Sequence, residues 1–81
     1  MTQKRKNGKS FQFTALIEKE GDWYVATCPE LDVVSQGETV EEASKNLAEA
    51  VSIVLEEASP QELKRRMKSE FYVARLEVPV G

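Results

Sequence analysis

Histidine is absent from this 81-residue sequence, and cysteine occurs only once. Without histidine the chain has no Ser-His or Cys-His nucleophilic pair, no imidazole acid-base catalyst and none of the commonest transition-metal ligands. A lone cysteine cannot form an intramolecular disulfide or a zinc cluster built on several thiolates. These absences predict a protein that is not an enzyme and that holds no cofactor or metal.

Long hydrophobic runs are absent as well. No apolar stretch approaches the ~18 residues of a membrane-spanning helix, and the start, MTQKRKNGKS, has no apolar segment that could act as a secretory signal. The net charge of -3 gives no whole-chain reason to expect nucleic-acid binding. With 41% hydrophobic and 31% charged residues, the composition is that of a globular chain, which we expect to be cytoplasmic and not bound to a membrane.

Eighty-one residues are enough for one small domain. Residues 1–10 carry four basic side chains and no apolar one after the first position, so they predict a disordered tail that cannot bury enough surface to offset its ordering entropy. Residues 11–81 are predicted to form the single domain. The basic residues of the tail are Lys4, Arg5, Lys6 and Lys9.

The first half of the domain predicts three strands. Apolar and polar residues alternate from position 11 to position 18, which is the period of a strand with one better-buried face. A turn at Gly21 and an aromatic, β-branched stretch over 23–28 complete a hairpin. A short third strand follows at Val33 and Val34 and closes at Gly37.

A long amphipathic helix is predicted to begin after Thr39. Thr39 and Glu42 form a capping box, in which the hydroxyl accepts from the Glu42 amide while the Glu42 carboxylate reaches back. Ile53 lies off the apolar stripe, towards the polar side of the helix. The stripe itself consists of Val40, Ala43, Leu47, Ala50, Val51, Val54 and Ala58.

The remaining residues predict a short helix and a closing strand. Ser59 and Pro60 repeat the helix-start signal, so a helix is expected from Pro60 to about Lys68. Residues 71–78 alternate again and predict a strand. One face of that strand carries Tyr72, Ala74, Leu76 and Val78, and the other carries Phe71, Val73, Arg75 and Glu77.

The predicted class is α+β with the order β-β-β-α-(α)-β. A three-stranded antiparallel meander is joined by the closing strand, in the spatial order third, second, first, last, and one main helix covers one face. The other face bears apolar residues and has no cover. A small domain with such a face usually dimerises or binds a partner, so we expect a homo-oligomer, most simply a dimer.

The stretch from Cys28 to Ala50 carries a motif with fixed spacing. It reads CPELDVVSQGETVEEASKNLAEA, with Pro-x-Leu followed by Gly-x-Thr-x-x-Glu-Ala-x-x-Asn-x-x-Glu-Ala. Together with the upstream Gly-Asp-Trp-Tyr turn, it resembles the HicB-like antitoxin family, and the likeness covers Phe13 to Glu57. The resemblance implies a partial ribonuclease-H-like fold without the nuclease, acting as the antitoxin of a small HicA-type toxin that cleaves mRNA.

The motif has a structural explanation at each matched position, such as the tight exit at Gly37 and the helix cap at Thr39, so it identifies a fold more than an active site. The sequence departs from the family pattern in two ways. Leu31-Asp32-Val33-Val34 stands where many members have Leu-Pro-Gly-Cys. Many members also add a C-terminal DNA-binding module, for which there is no room before Gly81, so we expect no operator binding by that route.

Neither the acidic residues nor the cysteine predict a reactive centre. A ribonuclease-H-type site needs several carboxylates that converge on Mg²⁺, with an aspartate inside the first strand. Here the first strand offers only Glu18, at its end, and the helix acids lie on a polar face that Lys45 balances. Cys28 has no cationic neighbour to activate it, which favours a buried small hydrophobe.

Two basic runs are candidates for nucleic-acid contact, and a small nucleic-acid-binding regulator is the alternative hypothesis. Neither run contains aromatic residues on which bases could stack, so a solubilising tail and a solvated helix are the simpler interpretation. The candidate contact residues are Lys4, Arg5, Lys6, Arg65 and Arg66.

Four residues are candidates for a partner or dimer interface: Trp23, Ile53, Phe71 and Tyr72. Aromatic side chains favour interfaces but are also needed in a small core, and the core interpretation takes precedence for the three aromatic residues. The leading hypothesis is a dimeric interaction protein that binds the toxin and performs no chemistry. An orphan module without a toxin would have the same sequence features.

Overall fold

The computed structural model describes residues 12–67 and 70–81 of the chain. Within them, three strands precede two helices: β1 (Leu16–Glu20), β2 (Trp23–Cys28), β3 (Val33–Gly37), α1 (Val40–Glu57) and α2 (Pro60–Arg66). The basic tail predicted for residues 1–10 lies outside the described residues.

The strands form an antiparallel sheet in the order β1-β2-β3, which confirms the predicted meander and the α+β class. β1 begins at Leu16, later than the alternation from position 11 suggested. Glu20 pairs with Trp23 across a two-residue loop. Within that loop only Gly21 has a positive φ, 60°, which is the pattern of a type II′ hairpin turn.

The turn between β2 and β3 places Leu31 in the core, where only 1% of its surface is exposed. Pro29 follows β2 directly, and because proline has no backbone N–H it cannot extend the ladder. Asp32 precedes β3 with a φ of 57°, a left-handed conformation that aspartate tolerates better than most residues.

The capping box predicted at the start of α1 is confirmed in its first hydrogen bond, since the Glu42 amide donates to the Thr39 hydroxyl at 3.0 Å. The Glu42 carboxylate also reaches back, but it accepts from the backbone N–H of Glu38, one residue before the cap, at 2.5 Å. The helix starts tightly against the end of β3, since a Cβ on Gly37 would lie 2.5 Å from the backbone nitrogen of Ala43. Gly37 therefore permits the close approach of helix and strand.

The core lies between α1 and the face of the sheet that the helix covers. α1 packs chiefly on β3 and β2 and touches β1 least, so the prediction of one main helix on one face is confirmed. Burial of this apolar surface is the main stabilising contribution. The buried cluster consists of Ala26, Cys28, Leu31, Ala43, Leu47 and Val51.

α2 is docked onto the turn that follows β2. Ser59 caps the helix, because its hydroxyl accepts from the Glu62 amide at 3.1 Å, and Pro60 occupies the first helical position as predicted. Arg66 donates to the carbonyl oxygen of Leu31 at 2.8 Å, and Met67 packs against the core cluster. The helix ends at Arg66, close to the expected end.

The predicted closing strand is wrong for the chain as it stands in this structure. Residues 70–81 form no strand, and the fourth position in the spatial order, beside β1, is not filled by them. Alternation supplies an apolar face, but a strand also needs an edge that accepts its backbone hydrogen bonds. This segment instead leaves its side chains in solvent, with Leu76 86% exposed.

Candidate functional site

The face of the sheet opposite α1 is uncovered by any other part of the described chain; we call it the open face. Leu16 pairs with Thr27, and Thr27 with Val34, so these residues form one row across the three strands. Trp23 lies at the hairpin end with 45% of its surface exposed, and Val34 is 61% exposed. The open face comprises Leu16, Glu18, Glu20, Trp23, Val25, Thr27, Val34 and Gln36.

Negative charge accompanies these apolar side chains. Glu18 and Glu20 alternate with inward positions on β1, so both project on the open face, where Glu20 is opposite Trp23. Lys19 belongs to the other face of the strand. None of the eight open-face residues is basic, and the surface therefore combines an aromatic anchor with carboxylates.

A groove runs between α1 and residues 13–15, which lead into β1, because the helix leans towards β3; we call it the edge groove. It encloses about 340 Å³. The helix contributes Leu47, Val51 and Leu55 to the groove, with the small side chain of Ala48 between them, and the chain before β1 contributes Phe13 and Ala15.

The C-terminal segment, residues 70–81, is the second large source of exposed apolar surface. Phe71 is half-buried and lines a recess with Gln12, Thr14 and Glu30. Beyond it every residue is exposed, and the Tyr72 hydroxyl, which donates to Glu70 at 2.8 Å, makes only this local contact among the hydrogen bonds of the described residues. The large apolar side chains of the segment are Tyr72, Val73, Leu76, Val78 and Val80.

Glu30 holds the chain that leads into β1. Its carboxylate accepts from the Thr14 amide at 3.0 and 3.1 Å, from the Thr14 hydroxyl at 2.9 Å and from the Cys28 thiol at 3.4 Å. Burial by itself would raise the pKa of Glu30, but these hydrogen bonds outweigh it and hold the pKa below the ordinary value. The sequence did not indicate this contact, because Thr14 is sixteen positions away.

Cys28 is the buried hydrophobe that the sequence predicted, with none of its surface exposed. Burial raises the pKa of the thiol, and the neighbouring Glu30 carboxylate adds to the increase. A thiol of this kind is poorly nucleophilic, since the reactive form is the thiolate. The hydrogen bond to Glu30 gives it a structural role.

The part of the chain that the structure describes contains no group of three acidic or cysteine side chains that could hold a metal ion. Likewise, neither α1 nor α2 is long and apolar enough to cross a membrane.

The four predicted interface residues do not form one surface. Trp23 lies on the open face, whereas Ile53 lies on the outer side of α1, where it is 53% exposed and off the apolar stripe as predicted. Phe71 and Tyr72 belong to the C-terminal segment. The core interpretation is wrong for Trp23 and Tyr72, the latter 81% exposed.

The five basic residues predicted to contact nucleic acid do not form one described surface either. Arg66 is half-buried and committed to the Leu31 carbonyl, with Glu62 at 4.0 Å on its other side. Arg65 is exposed on α2. The other candidates, Lys4, Arg5 and Lys6, lie outside the described residues, so nucleic-acid contact stays a prediction.

These features define a small α+β domain whose described surface combines an open sheet face, an edge groove and an exposed apolar segment. The sequence is 37% identical over 65 residues to a UPF0150 protein of Helicobacter pylori, a match that covers 79% of this chain and 90% of that protein. The chain belongs to the UPF0150 family. No family model matches the sequence, and no solved structure matches it.

Proposed function

We propose that this protein is an antitoxin-like interaction protein of the cytoplasm. It binds a HicA-type mRNA-cleaving toxin through the open face and blocks the toxin without chemistry of its own. The motif from Cys28 to Ala50, which resembles the HicB-like antitoxins, supports the choice of partner, and membership of the UPF0150 family is compatible with it.

The observation that carries the proposal is the exposure of Trp23 and Val34 on a sheet face that nothing else in the described chain covers. Tryptophan is enriched among residues that dominate binding energy, because its large ring fills a pocket on the partner. Val25 and Leu16 extend this apolar surface towards β1. A flat apolar sheet face with a protruding ring suits another protein better than a small molecule.

The carboxylates of Glu18 and Glu20 favour a basic partner. A toxin that binds mRNA needs a basic surface to contact phosphates. Opposite charges across the interface accelerate association and select against wrong partners, more than they raise affinity. Binding of the antitoxin would also cover the surface on which the toxin holds its substrate.

The test is co-expression with the short basic open reading frame of the neighbouring gene. We expect the wild-type protein to rescue growth and to form a stoichiometric complex in size-exclusion chromatography. Trp23→Ser should abolish rescue, since it removes the central apolar anchor. The matched control is Val40→Ser, which changes a similarly exposed apolar residue, 44% exposed, at the start of α1 and should leave rescue intact. Absence of both rescue and complex for the wild-type protein would refute the proposal.

A charge-reversal pair tests the electrostatic part separately. Glu18→Lys with Glu20→Lys should slow association with the toxin at low salt by about tenfold or more, and the difference should shrink as salt screens the charges. Glu41→Lys with Glu49→Lys makes the same change of charge on the exposed side of α1. Equal slowing by both pairs would show that the open face has no special part in the encounter.

A further inference from the structure

We propose that the C-terminal segment pairs with a second copy of this chain. Residues 71–78 would lie as a strand along β1 of the partner, in its edge groove, and the partner's segment would occupy the edge groove of the first copy. The exchange is reciprocal and gives a closed two-fold dimer. This inference does not rest on the toxin.

β1 is the edge that suits such a strand. The sheet of the described residues ends at β1 on one side and at β3 on the other. α1 packs most closely on β3 and least on β1, and the edge groove lies beside residues 13–15, which lead into β1, so this side of the sheet has space for an added strand. An edge strand presents backbone N–H and C=O groups that can pair with an incoming strand.

The lengths of the groove and the segment agree. The helix residues that line the groove extend from Ser44 to Leu55, which is about 17 Å at 1.5 Å per residue. Tyr72 to Val78 would extend about 20 Å as a strand at 3.3 Å per residue. One continuous strand of the segment is therefore long enough to span the groove.

The side chains also match. If Tyr72, Leu76 and Val78 face the groove, they contact its apolar wall, and the small side chain of Ala74 occupies the remaining position on that face. The groove wall is formed by Leu47, Val51 and Leu55. Alternation then places Arg75 on the open-face side, beside a strand that carries Glu18 and Glu20 there. The groove side of the incoming strand thus finds apolar neighbours, and on the other side Arg75 offers a partner for the β1 carboxylates, although Glu77 lies on that side as well.

The edge groove is expected to hold the C-terminal segment of a second copy and not that of its own chain. The reason is the path of the segment after Phe71. Phe71 lies in the recess beside Gln12 and Thr14, in the stretch that precedes its own β1. From Tyr72 onwards the segment is exposed and does not follow that strand. A second chain supplies an identical groove and an identical free segment, so one two-fold arrangement covers both apolar surfaces of both copies.

The test is a mixing experiment on the full chain, with molar mass measured by light scattering after size exclusion. Leu76→Lys puts a charge on the segment, and Ala48→Glu puts one in the groove at an exposed helix position that tolerates glutamate. Each variant alone should raise the dissociation constant of the dimer by about 100-fold, since each buries an unmatched charge. Circular dichroism should show both variants folded.

Mixing the two variants should restore the dimer, because the heterodimer contains one wild-type segment in one wild-type groove and a Lys-Glu pair in the other. A segment docked within its own chain cannot produce this complementation. The control, Ile53→Glu, changes an equally accessible apolar residue of α1 outside the groove and should leave the dimer unchanged. A wild-type monomer at high micromolar concentration, a dimer that survives Leu76→Lys, or a dimer lost with Ile53→Glu would each overturn the proposal. The toxin is absent from the assay, so its failure and that of the proposed function are distinguishable.

Discussion

The stretch that leads into β1, positions 11–18, and the C-terminal segment have the same kind of sequence but different outcomes. Alternation predicted a strand for both, yet β1 forms at Leu16–Glu20 while residues 70–81 form no strand. A hairpin loop of only two residues joins β1 to β2 and brings the two strands within hydrogen-bonding distance. The C-terminal segment follows α2 without such a tight turn, and among the described residues it pairs with no strand, although β1 is an edge strand of the sheet.

The difference shows that alternation by itself is not sufficient for a strand. A strand exposes one N–H and one C=O per residue, and these groups stay hydrated until an edge accepts them. The entropy of ordering the chain is offset only when pairing and burial occur together. An apolar segment that meets neither condition within its own chain becomes a candidate for pairing between chains.

The largest expected effect distinguishes the packed core from the C-terminal segment. Leu47→Ala, in the core, should lower the free energy of unfolding by about 3 kcal/mol at every protein concentration, because it leaves a cavity. Leu76→Ala should have no effect in dilute protein, where the segment is in solvent, and a destabilising effect only at concentrations that favour the dimer. Denaturant titrations at two protein concentrations measure both. A concentration-independent loss with Leu76→Ala would mean that the segment packs within its own chain.

An intermediate effect is expected where α1 meets the sheet. Gly37→Ala should lower the free energy of unfolding by about 2 kcal/mol, because its Cβ would overlap the helix backbone at Ala43.

A smaller effect is expected in the hairpin loop between β1 and β2. Gly21→Ala should lower the free energy of unfolding by about 1 kcal/mol, since it forces alanine to a φ of 60°, although no other atom lies close to the new Cβ. Gly21→Asn, which tolerates that φ, should recover most of the loss. If Gly21→Ala lowered the free energy of unfolding more than Gly37→Ala, the close approach of α1 to Gly37 would matter less for stability than the positive φ of Gly21.

The smallest expected effect concerns Glu30, whose hydrogen bonds with Thr14 hold the chain before β1. Glu30→Gln should lower the free energy of unfolding by about 0.5 to 1 kcal/mol at neutral pH, because it weakens the charge-assisted hydrogen bonds from Thr14 without removing the acceptor. The exposed Glu49→Gln on α1 is the matched control and should change stability little.

The effect of Glu30 should depend on pH with a definite sign. The folded-state pKa of Glu30 is lowered, so its contribution is complete above the ordinary glutamate pKa of about 4.3 and is lost as the pH falls through that value towards the folded one. The wild-type and Glu30→Gln unfolding curves should therefore converge in acid. A difference between them that stayed constant from neutral to acidic pH would show that the carboxylate charge is not responsible.

Local patterns predicted most of the packed region. The capping boxes at Thr39 and Ser59, the turn at Gly21 and the stripe that buries Leu47 depend on residues within a few positions of one another, where propensity and periodicity act. The prediction for residues 71–78 was wrong because pairing with a distant edge depends on the whole sheet. The later start of β1 has a related reason, since its pairing begins at Leu16 opposite Thr27, one residue before β2 ends at Cys28, and β2 offers almost no partner to the residues before Leu16.

The surfaces were predicted only in part. The absence of a second cover for the sheet could be inferred from the count of predicted helices, and Ile53 could be recognised as exposed from its angle on the helix. Trp23 could not be assigned to the open face, because aromatic residues at a hairpin end suit a core as well as an interface. The hydrogen bonds between Glu30 and Thr14 and the edge groove both arise from contacts between residues far apart in the chain, and local sequence patterns do not predict such contacts.

For this protein, the order of its residues determined where the chain turns, where its helices begin and which side of each element is apolar, because these properties depend on neighbours within one or two turns of backbone. Only the tertiary structure decided that α1 leans towards β3 and away from β1, that Arg66 is engaged by Leu31, and that the apolar side of the C-terminal segment remains in solvent. Those outcomes depend on how whole elements compete for one small core, which has room for one side of the sheet and a single long helix.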